Sequence, residues 1–398
     1  MGWGPEAGGP WPYRILEEPV LSQKLEKYAN AETVAGGKVD IVTFQPCGVE
    51  SESSQDRLAA QEWELPNGTW TFTAVFDGHA GHEVADLTSK VFPGKLKAVL
   101  DGLFTRDPEG VVEEPTVDQV SNALSQTLIS WDDEIVADFL ALFPGGVEQA
   151  ENMPVEEIKA LINDTDRGGE NHYKVMKAIR GSTALLSLVD PKGENLWVAN
   201  LGDCQAILAS QDENSAWKAT LLTQNHNGEN EEEVARVQNE HPGEHEAILN
   251  QRVLGAIAVT RALGDHEFKL PAIYTQRVFL SAEPGFRVHS RVEDFIARSF
   301  TPPYLSNVAD IHHQKLTDTD KFILLCSDGL SDLYRGQPEG PTEWIKAITD
   351  GDRKETNRAL RVLRAAIGGD DNEVVSRHLT LELMSRWMDD TTILVHTF

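Results

Sequence analysis

Four apolar, strand-like runs in this chain abut aspartate, and that placement constrains the fold more than any other feature. Asp77 closes TWTFTAVF (69–76), Asp203 follows LWVANLG (196–202), Asp328 follows FILLCS (322–327), and Asp389-Asp390 precedes TTILV (391–395). If these strands share a sheet, their ends bring the carboxylates to one edge. Gathered carboxylates repel, and burial penalises each one further, so such a cluster calls for a cation. Only oxygen ligands recur at these junctions, with no Cys/His spacing, which selects a hard ion such as Mg²⁺ or Mn²⁺ over zinc or copper. Asp-Gly after a strand is also ordinary turn chemistry. Two features go beyond a turn. Asp77-Gly78-His79-Ala80-Gly81 adds a histidine and a second glycine, and Asp389-Asp390 sets adjacent charges against a strand.

The rest of the chain alternates strand-like and helix-like segments. TWTFTAVF alternates Trp70, Phe72, Ala74 and Phe76 against threonines, the two-residue period of a strand. STALLSLV and NLWVAN flank Asp190-Pro191-Lys192-Gly193 and read as a hairpin, with CQAILAS (204–210) continuing the sheet. FILLC (322–326) and TTILVHTF (391–398) are further strands. Val117, Val120, Leu124, Leu128, Trp131, Ile135 and Phe139 recur every three or four residues, one buried face of a helix over 115–140. Other helices are expected near 20–29, 83–100, 229–240, 342–349, 356–367 and 377–387, with polar connections at 143–172 and 365–376. The organisation is a Gly/Pro-rich extension, 1–38, and one large catalytic domain, 39–398.

Composition narrows the function classes. Lys and Arg number 35 against 64 Asp and Glu, a formal charge of −29. Nucleic acid and anionic membranes both require a basic footprint, so neither is an expected partner. No apolar run approaches the ~18 residues of a membrane span. Cys47, Cys204 and Cys326 are too few and scattered for a disulfide framework or zinc knuckle, which points to a reducing, intracellular setting. The acidic N-terminus lacks a transit pattern, so cytoplasm is the expected compartment, with nucleus and mitochondrion open. Nothing in the pattern specifies an oligomeric state.

Seven blocks in order resemble the metal-dependent protein Ser/Thr phosphatases of type 2C. They are VFDGHAG (75–81), GSTALLSLV (181–189), LWVANLGDCQAIL (196–208), LTQNHN (222–227), VLGAIAVTRALGD (253–265), LLCSDGLSDL (324–333) and DDTTILV (389–395). NHNGENEEEVARVQNEHP (225–242), TPPYL (301–305) and Asp389-Asp390 are most similar to the pyruvate dehydrogenase phosphatase branch and its fungal relatives. The resemblance implies an α+β fold: a central antiparallel β-sandwich flanked by helices, with a binuclear Mg²⁺ or Mn²⁺ centre at one end. It implies a phosphoprotein as substrate. Asp77 would bridge two ions, the Gly78 carbonyl would bind the second, and Asp328 and Asp389 would complete the first. Asp203 and Asp332 match positions that hold a weaker third ion in some members. Residues 266–300 would include a variable flap. His79 would be the general acid for the departing alkoxide, since imidazole titrates near neutral pH.

Two departures stand out. The family usually has Glu-Asp before its first strand, the Glu binding the second ion; here the residues are Gln55-Asp56-Arg57, with Asp56 a further candidate ligand. Many members carry a phosphate-binding Arg where this chain has Ser51, and Arg57 is the expected substitute. These departures leave a second reading, a phosphatase-like regulatory or binding protein with an impaired second-metal site. A third is an acidic structural protein whose motifs are relics. Cys326 is not followed by the Gly-rich loop and Arg that a cysteine-nucleophile phosphatase needs, and reads as a small core residue.

Overall fold

The computed structural model describes residues 11–49, 53–288, 291–334, 340–350, 355–383 and 385–398. Two antiparallel sheets face one another. The first runs, in spatial order, Asp310–Lys315, Asn195–Leu201, Ala184–Val189, Gly68–Phe76 and Arg57–Leu65. The second runs Glu32–Val34, Val39–Phe44, Thr391–Thr397, Asp320–Cys326, Gln205–Gln211 and Trp217–Leu221.

Alternation along each strand builds the layers. In Ala184–Val189, Leu185 and Val189 join Val75, Ile323, Leu325 and Leu394 in the core between the sheets. Leu186 and Leu188 point the other way, to the helices Glu83–Asp101 and Val117–Leu140. On the outer face of the second sheet, Val42, Leu324 and Ile393 meet the helices Val20–Tyr28, Gly340–Thr349, Arg358–Ala366 and Asn372–Thr380. The result is the layered α/β/β/α arrangement of the expected α+β class. Leu21 and Leu25 of the segment expected as an extension lie in that outer core, and Glu32–Val34 pairs with Val39–Phe44. A further lobe packs Phe139 and Phe143 against Tyr274 and Phe279, so much of the expected flap is core.

Three local expectations need correction. CQAILAS leaves its hairpin's sheet: Asn195–Leu201 pairs within the first, whereas Gln205–Gln211 pairs with Asp320–Cys326 in the second. Gly202, at φ +118, turns the chain between layers. Residues 143–172 are not a plain connection but hold Gly146–Asn152, Val155–Ile162 and the start of Glu170–Ile179, whose Ala150, Ile158, Ile162 and Val175 are buried. The helix expected at 377–387 is Asn372–Thr380, because Asp371 caps it by accepting from the Glu373 and Val374 amides.

Candidate metal centre

The strand ends converge at one end of the sandwich, from both sheets rather than one. Asp77, Asp203 and Asp328 each offer a carboxylate oxygen, all within 4.8 Å of one another. The glycines explain how the segments approach. A Cβ on Gly78 would lie 2.4 Å from the Gln55 carbonyl oxygen, and one on Gly329 would lie 2.0 Å from that of Asp390. The glycine of each Asp-Gly pair therefore admits the backbone that brings another carboxylate, Asp56 in one case and Asp389 in the other. Asp77 is further anchored where its amide donates to the Thr183 hydroxyl (3.2 Å) and its carbonyl accepts from the Thr183 amide (2.9 Å).

The electrostatics carry the strain of this crowding. Burial, then the neighbouring Asp56, Asp328, Asp203 and Asp389, pushes the Asp77 carboxyl well above the usual range. Burial and Asp203, Asp389, Asp332 and Asp56 raise Asp328 to about 8. Burial and Asp390 raise Asp56 to about 7. Asp203 and Asp389 are also raised, chiefly by burial. Asp332 stands near enough to act on both Asp328 and Asp389.

Asp56 tests whether a cation fits. It is 2% exposed, and its Oδ2 accepts from the Ser327 hydroxyl at 2.8 Å. Its Oδ1 is buried with no hydrogen-bond partner among the described residues. A buried carboxylate oxygen without a donor is costly unless a cation sits against it. The donor set is all oxygen, as a hard divalent ion requires.

Gln55 is placed by its backbone, whose amide donates to Asp390 Oδ2 at 2.7 Å. Asp390 also accepts from Gln45 (2.9 Å) and Arg386 (3.0 Å), so it clamps the 53–55 segment rather than lining the cluster. Arg57 is turned to other work: its guanidinium pairs with Asp86 and donates to the Ser54 (2.8 Å) and Asp56 (2.7 Å) carbonyls. Ser51 lies outside the described residues. Behind Asp203, His226 accepts from the Gly202 amide at 3.2 Å and faces Asp310 at 3.0 Å.

His79 stands beside the cluster with its Nε2 2.7 Å from Asp265 Oδ2. Burial opposes its charge, but the charge and hydrogen bond of Asp265, together with the charges of Asp203 and Asp328, raise the imidazole above its ordinary value. Asp265 is 1% exposed and was not singled out from sequence, although it ends the block 253–265. Gly181 is the floor beneath the pair: a Cβ there would fall 2.1 Å from His79 Nε2 and 2.0 Å from Asp265 Oδ2. The one available signal was the position of Asp265 after Gly264 in a block already noted.

Residues 147–338 match the family described as Protein phosphatase 2C, a span that holds Asp203, Asp328 and Asp332. A mitochondrial pyruvate dehydrogenase phosphatase 1 from Bos taurus is 31% identical over 267 residues, 57% of this chain and 49% of the relative. Its counterpart in Saccharomyces cerevisiae is 28% identical over 67% of this chain and 42% of that one. A protein phosphatase 2C homolog from Schizosaccharomyces pombe is 24% identical over 95% of this chain and 84% of its own length. The chain thus spans about half the length of the pyruvate dehydrogenase phosphatases it matches. In fold it is similar to a solved C. elegans sex determining protein, with TM-score 0.54 and 18% identity over 92% of this chain and 65% of that one. By the family match over 147–338, the ordered motifs and the layered fold, the chain is similar to the type 2C protein phosphatases.

Proposed function

We propose that this chain hydrolyses phosphoserine and phosphothreonine in proteins, using two divalent ions, Mg²⁺ or Mn²⁺, at the carboxylate cluster. The observation that carries the reading is the convergence of Asp77, Asp203 and Asp328 within 4.8 Å, beside a His79 paired with a buried Asp265. Asp77 would bridge the ions, Asp328 and Asp389 would hold the first, and the Gly78 carbonyl and Gln55 would hold the second. Asp56 would turn its unpartnered oxygen toward the centre, and Asp203 with Asp332 would hold a weaker third ion. Bound divalent ions supply a water acidified toward neutral pH and offset charge on the phosphoryl oxygens.

The chain's own residues do the remainder. Asp265 fixes the imidazole of His79 and favours its protonated form, so that His79 donates a proton to the departing Ser or Thr oxygen. Asp265 engages Nε2, which leaves Nδ1 as the donating nitrogen. Arg57, held by Asp86, is poorly disposed for the phosphate-binding part first expected of it.

One observation favours a second reading. Neutral Gln55 lies against Gly78, where the family has Glu, and a weakened second ion would leave a regulatory protein that binds but does not turn over. Hydrolysis of an aryl phosphate and a phosphoserine peptide, with Mn²⁺ or Mg²⁺ and then with chelator, separates the two. Metal-dependent turnover supports the phosphatase; activity indifferent to metal and chelator overturns it. No described helix is long and apolar enough to cross a membrane. The two pyruvate dehydrogenase phosphatases named above are mitochondrial, and fractionation decides between that compartment and the cytoplasm expected from sequence.

A further inference from the structure

The helix Val117–Leu140 buries one charge in its apolar stripe: Asp132, 2% exposed, between Leu128 and Ile135. An unpaired charge buried there would be strongly destabilising, so its partners are informative. Oδ1 accepts from the Gly264 amide at 2.7 Å, and His266 Nε2 lies 3.5 Å away. Oδ2 accepts from Lys269 Nζ at 2.7 Å and Asn307 Nδ2 at 3.1 Å. Three of these four partners lie on the turn 264–269, and Lys269 also donates to the Ala262 carbonyl at 2.8 Å. Burial would raise the Asp132 carboxyl, yet Lys269, His266 and the hydrogen bonds hold it below its ordinary value, so it is ionised.

That turn depends on left-handed backbone at two successive residues. Gly264 has φ +75, and a Cβ on it would meet the Arg180 carbonyl oxygen at 2.1 Å. Asp265 follows at φ +49, a left-handed conformation unusual for a side-chain-bearing residue. Such a conformation persists only where its surroundings over-determine it. Here the Asp265 amide donates to the Arg180 carbonyl (2.9 Å), the His266 amide donates to the Ala178 carbonyl (2.8 Å), and Asp132 grips the residue before. The outcome of that geometry is the 2.7 Å contact between Asp265 and His79.

We propose that Asp132 is a positioning residue for the reaction: through the Gly264 amide and the Lys269 ammonium it sets the turn that aims Asp265 at His79. The proposal rests on the phosphatase reading for its kinetic consequence, not for its structural one. Asp132→Asn keeps an acceptor for Gly264 but withdraws the charge that Lys269 answers, so the turn loosens. Phosphoserine peptide, whose leaving group needs a proton, should lose tenfold or more in kcat with KM nearly constant. An aryl phosphate should stay within about threefold, since its leaving group departs unprotonated. In a His79→Ala background, Asp132→Asn should add less than about twofold.

A purely structural role would lower both substrates together and would add in the double variant, and either result overturns the proposal. The ring ¹⁵N resonances of His79, assigned by their loss in His79→Ala, give a readout independent of turnover. They should move in Asp132→Asn in the direction they move in Asp265→Asn; unchanged resonances overturn the proposal even if the chain hydrolyses nothing. Where Asp132→Asn fails to fold, Asn307→Ala removes a single donor from the same carboxylate. It should produce a smaller shift of the same sign, and no shift there counts against the proposal equally.

Discussion

Removing one carboxylate from the cluster should stabilise the metal-free protein, and the gain should grow with pH. The Asp328 carboxyl is raised from 3.8 to about 8 by burial and by Asp203, Asp389, Asp332 and Asp56. A group that binds its proton more tightly in the folded chain stabilises the fold below its unfolded value, and loses that contribution as pH climbs toward the folded value. For Asp328 that window runs from 3.8 to about 8. The interval from pH 6.5 to 8 leaves out the depressed histidines. His266 and His396, both depressed by burial to about 4, gain stability only up to their unfolded 6.5. Over those roughly 1.5 pH units, at about 1.4 kcal/mol each, Asp328 alone loses ~2 kcal/mol. An unfolding entropy of about 2.1 cal/mol/K per residue converts this to a fall of about 2–3 °C in Tm for a chain of this length. Asp77, also pushed well up by burial and its neighbours, adds in the same direction. Asp77→Asn abolishes its own share and relieves Asp328 and Asp56. The assay is thermal unfolding of wild type and Asp77→Asn in chelator at pH 6.5 and pH 8. Wild type should fall further than the variant, and Mn²⁺ at pH 8 should restore it. The acidic balance of the rest of the chain is the same in both proteins and cancels in the difference. A Tm gap between the two proteins that does not change with pH would refute the reasoning.

Three further outcomes are expected. His79→Ala should slow a phosphoserine peptide by roughly 10²–10⁴-fold while sparing an aryl phosphate; equal losses in the two assays would remove His79 as the acid. Gly181→Ala places a methyl within 2.1 Å of His79 Nε2 and 2.0 Å of Asp265 Oδ2, so it should reproduce that selectivity without touching either residue. Peptide kinetics at wild-type level in Gly181→Ala would count against the pair. Gln55→Glu restores a charge beside Gly78 and should lower the metal concentration for half-maximal activity about tenfold, if the charge is worth ~1.4 kcal/mol. Titrations with Mg²⁺ and Mn²⁺ that leave both midpoints in place would show that Gln55 does not serve the second ion.

Local pattern alone determined a good part of this protein. The alternation in TWTFTAVF and the run TTILVHTF became the strands Gly68–Phe76 and Thr391–Thr397, because burial on alternate faces is written every second residue. The apolar stripe from Val117 to Phe139 became one helix, its start fixed by the capping box of Thr116 and Gln119. The aspartates at the strand ends, and hence the chemistry of the cluster, were legible for the same reason. The helices between 143 and 172 were not, because Gly146–Asn152 and Val155–Ile162 are only seven and eight residues long, about two turns each, and are set between glycines and prolines that read as connection. Nor could local pattern tell that Gln205–Gln211 crosses to the other sheet, since a turn at Gly202 and Asp203 looks the same whichever layer receives it. Asp265 lies 186 residues from His79, and Asp390 lies 335 from the Gln55 amide it holds. Only closure of the fold decided those partnerships, because they depend on backbones meeting at Gly78, Gly181, Gly264 and Gly329, where a single Cβ would keep the segments apart.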